Sequence, residues 1–247
     1  MPFELLPVIG LMKTFYEQPR DLNRFKEYLN LLQGDTKGDL KLPIGGFNPM
    51  AKEHAIQKLI ELEAMGAEDV MAQALSEINV EEPSFQSSFK VSLTLADDLK
   101  GGWTNRFTTD YSSKFSIQAL ARRGFCTPMF WTGESYTPEK IRRRTREYCY
   151  RTIFQQEHPK VATLEDHIQQ EKWVARKSGT ANALQQDEFQ MLDAFYQDHK
   201  HSDNNVVVFN FFYGDEAAAE LGYQQMSIPK RFAGYHFAKH LAAEFFS

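Results

Sequence analysis

With 247 residues, 42% of them hydrophobic and 25% charged, the chain has the composition of a globular protein that can bury a sizeable core. Its formal net charge of −5 argues against general nucleic-acid binding, which requires a cationic surface. No run reaches about 18 apolar residues, so we expect no membrane contact, and the apolar stretch from Leu5 to Met12 lacks the basic segment of a signal peptide.

Residues 1–80 show mainly helical patterns. Asp21 predicts the start of a helix that Gly34 ends. The apolar stripe of this helix comprises Leu22, Phe25, Leu29 and Leu32. Asn48-Pro49 predicts the start of the next helix, with Asn as N-cap and Pro in the first turn, and Gly66 its end. A further helix to about Asn79 completes a helical hairpin, which we interpret as scaffold.

Three apolar segments predict strands. From Phe89 to Leu95 apolar and polar residues alternate, as in a half-buried strand. The segment Phe125–Trp131 is apolar on both faces, but Pro128 in its middle places it at an edge or a bulge. The run Val206–Tyr213 is the most apolar of the chain, which predicts a central strand covered on both sides.

Helical signals separate and follow these strands. A helix is predicted between Tyr111 and Leu120, and Thr137-Pro138-Glu139 predicts the start of a long one. Thr163 begins another, and Ser178-Gly179 ends it. The sequence therefore predicts a helix-rich mixed α/β fold with a small sheet of three to five strands covered by helices. It divides into a helical part, 1–80, and a mixed body, 85–247, or forms a single domain, 1–247.

Acidic residues follow each predicted strand: Asp97-Asp98, Glu134 and Asp215. If the strands are parallel, their carboxyl ends share one edge, where ligands of open α/β sheets bind. The residues expected to meet there are Asp110, Glu134, Asp215, Arg106 and Trp103. The carboxylates are candidates for acid/base catalysis or for holding a divalent metal. The alternative is that Asp and Glu occur there because they favour turns and helix N-termini.

The segment 101–111 follows the first strand and is dense in stacking and hydrogen-bonding side chains. Its candidate ligand-binding residues are Trp103, Asn105, Arg106, Thr108 and Tyr111. The aromatic rings can stack on a planar ligand, and Arg106 can bind an anionic group. The alternative is a structured loop whose polar side chains satisfy its own backbone.

His236 and His240 lie four residues apart in a predicted helix, which places them on one face as a metal pair requires. Phe237 stands where the H-E-x-x-H motif needs glutamate, so a zinc-peptidase site is excluded. A divalent metal is therefore the cofactor hypothesis, and surface or core-edge histidines are the alternative.

Basic residues are concentrated in the helix that starts at Pro138: Lys140, Arg142, Arg143, Arg144, Arg146 and Arg151. This helix can contact phosphate or an acidic partner, or it can be a solvated face crossed by salt bridges.

The two cysteines, Cys126 and Cys149, stand in apolar contexts outside any C-x-x-C motif. This pattern predicts reduced, buried thiols in a cytoplasmic protein. The functional hypothesis is a soluble protein with a small-molecule site near 101–111 and the strand ends at 132–135 and 213–216. Whether it is an enzyme stays open. The alternative is a non-catalytic interaction or homo-oligomeric module.

Overall fold

A computed structural model describes residues 1–34, 39–99 and 104–243. It has a helix-rich mixed α/β fold with short parallel strands, which confirms the predicted fold class. The contacts group the chain into two units, Met1–Cys149 and Tyr150–Ser247. The division at 80–85 stays a prediction. Within the described ranges, no helix combines the length and apolar character that crossing a membrane requires.

The first unit contains the strands and the N-terminal helices. Its elements are β1 (Phe3–Leu5), α1 (Ile9–Glu17), α2 (Leu22–Leu32), α3 (Glu53–Ala64), α4 (Ala67–Glu81), β2 (Phe89–Val91), β3 (Thr94–Ala96), α5 (Arg106–Phe115), α6 (Gln118–Ala121), β4 (Phe125–Cys126), β5 (Met129–Trp131) and the first part of α7 (Pro138–Glu157).

The described secondary-structure elements of the second unit are all helices. After the end of α7 it contains α8 (Leu164–Ser178), α9 (Gln186–His199), α10 (Asn205–Tyr213), α11 (Asp215–Glu220) and α12 (Ala233–Ala243). Helix α12 packs against α8, α9 and α10.

The described strands form two parallel sheets, one ordered β1-β2-β4 and the other pairing β3 with β5. The segment Phe89–Leu95, predicted as one strand, changes partner from β4 to β5 on passing from β2 to β3. The expectation that it is half-buried was wrong, because Ser92 and Thr94 are also buried. Pro128 separates β4 from β5, in keeping with its missing backbone donor. Strand β1 is too short to show alternation in the sequence.

The predicted helix starts had mixed outcomes. Asp21 caps α2, accepting hydrogen bonds from the backbone of Asn23 and Arg24. Helix α3 begins at Glu53, so the start predicted at Asn48-Pro49 was wrong; the Asn48 side chain instead accepts from the Met50 N–H at 2.9 Å and forms a local turn.

The later caps agree with the sequence. Helix α7 begins at Pro138, and α8 begins after Thr163 with a capping box that Asp166 completes. Gly179 ends α8 in the left-handed region that favours glycine, with φ of 69°.

The segment Val206–Tyr213 is a buried helix, α10, so the prediction of a central strand was wrong. A short run that is apolar on every side fits a buried helix as well as a buried strand. Asn204 was the overlooked signal, since its side chain accepts from the Val206 N–H at 2.8 Å as an N-cap. Asn210, buried in α10, donates its amide hydrogen to the Val206 carbonyl one turn earlier, at 2.8 Å.

Candidate functional site

The candidate site lies in the first unit, where β3 and β5 end side by side. Ala96 pairs with Trp131 in the last register position, and the Thr132 N–H donates to the Ala96 carbonyl at 3.0 Å. Because the two strands are parallel, the residues that follow them emerge at the same edge.

Asp97 and Asp98 bind the polar residues that follow β5. The Thr132 hydroxyl donates to Asp97 Oδ1 at 2.8 Å and lies 3.1 Å from Asp98 Oδ1. The backbone N–H of Gly133 donates to Asp98 Oδ1 at 2.7 Å. These bonds hold the two aspartates in fixed positions beside the strand ends.

Glu134 is surrounded by cations. Arg106 Nη2 donates to its Oε1 at 2.5 Å, while Arg144 Nη2 lies 2.7 Å and Lys140 Nζ 3.3 Å from its Oε2. Burial by itself raises the pKa of Glu134, but the charge of Arg144 and the hydrogen bond from Arg106 more than offset this and lower it to about 2. Glu134 is therefore ionised near neutral pH, and its role in acid/base catalysis stays a prediction.

Arg106 joins both strand ends. Besides Glu134 it donates to Asp98 Oδ2 at 2.8 Å, and its guanidinium lies 4.2 Å from the centre of the Trp131 ring. Two carboxylates and an aromatic face thus already surround this cation. Its position at the strand ends agrees with the expected site, but its contacts are those of a cross-link.

The other residues predicted in 101–111 belong largely to α5. The described part of this segment is a helix from Arg106 onwards, so interpreting it as a loop was wrong there. Asn105 is the N-cap of α5 and accepts from the backbone N–H groups of Phe107 and Thr108, at 3.1 and 3.0 Å. The Thr108 hydroxyl also lies 3.2 Å from Asn105 Oδ1. Trp103 lies outside the described residues.

Asp110 and Tyr111 occupy the middle of α5. Asp110 is buried and pairs with Lys114 Nζ at 2.7 Å, one turn along the helix. The ring of Tyr111 packs edge-on against Phe115, with ring centres 5.1 Å apart. Both residues make contacts within their own helix, and their role in ligand binding or catalysis stays a prediction.

Asp215 belongs to the second unit and lies in the first turn of α11. Its side chain accepts from the Met226 N–H at 2.8 Å. Since the preceding segment is α10 and not a strand, placing Asp215 at a strand end was wrong.

His54 was not among the candidates from the sequence, since it lies in the helical hairpin interpreted as scaffold and was expected to be a surface residue. His54 is near the start of α3, and its Nε2 lies 2.9 Å from Asp97 Oδ1, with both side chains largely buried. This separation is within ion-pair distance, although the geometry of the contact is not that of a hydrogen bond. Within the described residues, neither ring nitrogen of His54 has a hydrogen-bond partner.

Arg24 and Tyr16 lie near this pair. Arg24 is 4% exposed, and its guanidinium lies 4.4 Å from the centre of the Tyr16 ring. Its Nη1 donates to the Gln18 carbonyl at 3.4 Å, whereas Nε and Nη2 are buried without a hydrogen-bond partner among the described residues. Burial raises the pKa of the Tyr16 phenol, with smaller effects from the charges of Arg24 and Asp97, so it lies within electrostatic reach of both. Tyr16, Arg24, His54 and Asp97 are called the Arg24 cluster below.

The apolar stripe predicted for α2 is not the face that this helix buries, so the sequence did not indicate the Arg24 cluster. Leu22 is 74% exposed, and the residues that α2 buries are Arg24 and Tyr28. An arginine and a tyrosine four residues apart on one face were the available signal, but apolar periodicity favours the neighbouring stripe.

The two candidate metal ligands lie on α12 in the second unit. His240 Nδ1 accepts from the Leu184 N–H at 2.9 Å, and burial is the main cause that lowers the pKa of His236. No three His, Cys, Asp or Glu side chains of the described chain are grouped as a metal ion would require. Metal binding by the two histidines stays a prediction.

Comparisons of the chain with protein-family models, with curated proteins and with solved structures find no match.

Proposed function

We propose that the protein binds a small anionic molecule at the Arg24 cluster, beside the carboxyl end of β3. The observation that carries this proposal is a buried arginine whose Nε and Nη2 have no partner among the described residues. A buried charge without a partner is expensive, and so is each buried donor without an acceptor. A carboxylate or phosphate group would supply the missing charge and acceptors together.

The chemistry of the cluster favours an anion. The planar guanidinium of Arg24 presents parallel donors that match the oxygens of a carboxylate or phosphate. His54 adds ring nitrogens that are buried without a hydrogen-bond partner among the described residues. Asp97 is the one carboxylate in the cluster, and Thr132 already bonds to it.

The residues at the strand ends hold one side of this site in a fixed position. Thr132, Asp98, Arg106 and Glu134 bond to one another, and Thr132 holds Asp97 in place beside His54. A site held by such a network is preorganised, so less ordering opposes binding.

A second candidate function is proton transfer by His54, which would make the protein an enzyme. The observation that favours it is the proximity of Asp97 to the imidazole, because a carboxylate beside a catalytic histidine can orient the ring. In this proposal Arg24 holds the anionic group of the substrate, and His54 replaces Asp110, Glu134 and Asp215 as the first acid/base candidate.

We also propose that the protein is soluble and located in the cytoplasm. Cys126 and Cys149 are buried free thiols, and a hydrogen bond to Cys126 adds to the effect of burial in raising the pKa of Cys149. Two neighbouring thiols that form no disulfide favour a reducing compartment.

The test is a thermal-unfolding screen with inorganic phosphate, oxalate and a panel of phosphorylated and carboxylated metabolites. A ligand at about 100 times its Kd adds about 2.7 kcal/mol to the free energy of unfolding. For a chain of this size, each kcal/mol raises Tm by about 2–4 °C. We expect at least one anion to raise the Tm.

The control pair is Arg24→Met and Lys26→Met, which remove a buried and an exposed cation from the same helix. We expect Arg24→Met to lose the ligand-dependent rise in Tm and Lys26→Met to keep it. A rise that Arg24→Met retains would place the ligand elsewhere. A flat panel would instead favour the non-catalytic interaction or homo-oligomeric module, for which light scattering would give the oligomeric state.

A further inference from the structure

We draw no further inference here: the strongest candidate, the partly exposed apolar face of α2 formed by Leu22, Phe25, Leu29 and Leu32, carries none because nothing in the described part of the structure shows what covers it.

Discussion

The Glu134 site and the Arg24 cluster lie in the same unit and both contain largely buried arginines, but they differ in how their charges are paired. Oε2 of Glu134 also lacks a hydrogen-bond partner among the described residues, yet it lies within ion-pair distance of two cations. At Glu134, three cations meet one carboxylate, and Arg106 reaches Asp98 as well. At Arg24, two guanidinium nitrogens are buried without a partner in the described chain.

The difference separates charge that is paired within the fold from buried charge for which we propose a ligand. A network of paired charges stabilises the fold. Removing one member leaves its partners buried without an opposite charge, which lowers the free energy of unfolding. A buried cation without an ion-pair partner does the reverse, since its desolvation lowers the stability of the folded state. Glu134 and Arg106 were candidates from the sequence and the Arg24 cluster was not, so only the structure shows how the charges of the two sites are paired.

The largest effect is expected at the most deeply buried ion pair of the described residues, Arg151 and Glu171 in the second unit. Arg151 donates from Nε and Nη2 to the two carboxylate oxygens of Glu171, at 2.6 and 2.7 Å, and both side chains are under 5% exposed. We expect Arg151→Ala to lower the free energy of unfolding by about 3–5 kcal/mol, because it leaves a buried carboxylate unpaired. Urea denaturation measures the change.

The double variant Arg151→Met with Glu171→Leu is the control for that experiment. It removes both charges and keeps the volume, so most of the lost stability should return. If Arg151→Ala had the same urea midpoint as the wild type, this ion pair would not stabilise the folded protein.

A smaller loss is expected for Glu134→Gln, and it should depend on pH. The pKa of Glu134 is lowered from 4.5 to about 2 in the folded protein, so its stabilisation is fully present above pH 4.5 and is lost as the pH falls towards 2. The lowering corresponds to at most about 3 kcal/mol. We expect the stability difference between wild type and Glu134→Gln to be constant near neutral pH and to shrink below pH 4.5. A difference that grew on acidification would contradict this assignment.

At the Arg24 cluster the sign should reverse. We expect Arg24→Met to raise the free energy of unfolding of the ligand-free protein by about 1 kcal/mol, because relief from burying an unpaired cation outweighs the lost contact with Tyr16. Lys26→Met on the exposed side of α2 should have almost no effect. If Arg24→Met lost more than about 1 kcal/mol, Arg24 would stabilise the fold as the ion-paired arginines do and the contrast would fail.

The smallest effect is expected at the exposed pair of Arg231 and Glu216. The two side chains are hydrogen-bonded but 56% and 61% exposed, so water screens their attraction. Arg231→Gln should leave the urea midpoint unchanged within error. A clear drop would mean that ion pairs here stabilise irrespective of burial, which would remove the basis for comparing Glu134 with Arg24.

The sequence by itself determined the fold class and several helix ends, because these depend on residues close together in the chain. Asp21, Pro138, Thr163 and Gly179 mark helix ends where the structure has them. The acidic turns after β3 and β5 also pointed to the edge where Asp98, Arg106 and Glu134 meet.

Only the tertiary structure decided which face of α2 is buried, whether the run Val206–Tyr213 is helix or strand, and that His54 meets Asp97. A uniformly apolar run fits either secondary structure, and its neighbours select one of them. His54 and Asp97 are far apart in the chain, and their contact arises because α3 packs near the end of β3. Local propensity contains no information about such a pairing, since burial of the whole unit brings the two side chains together.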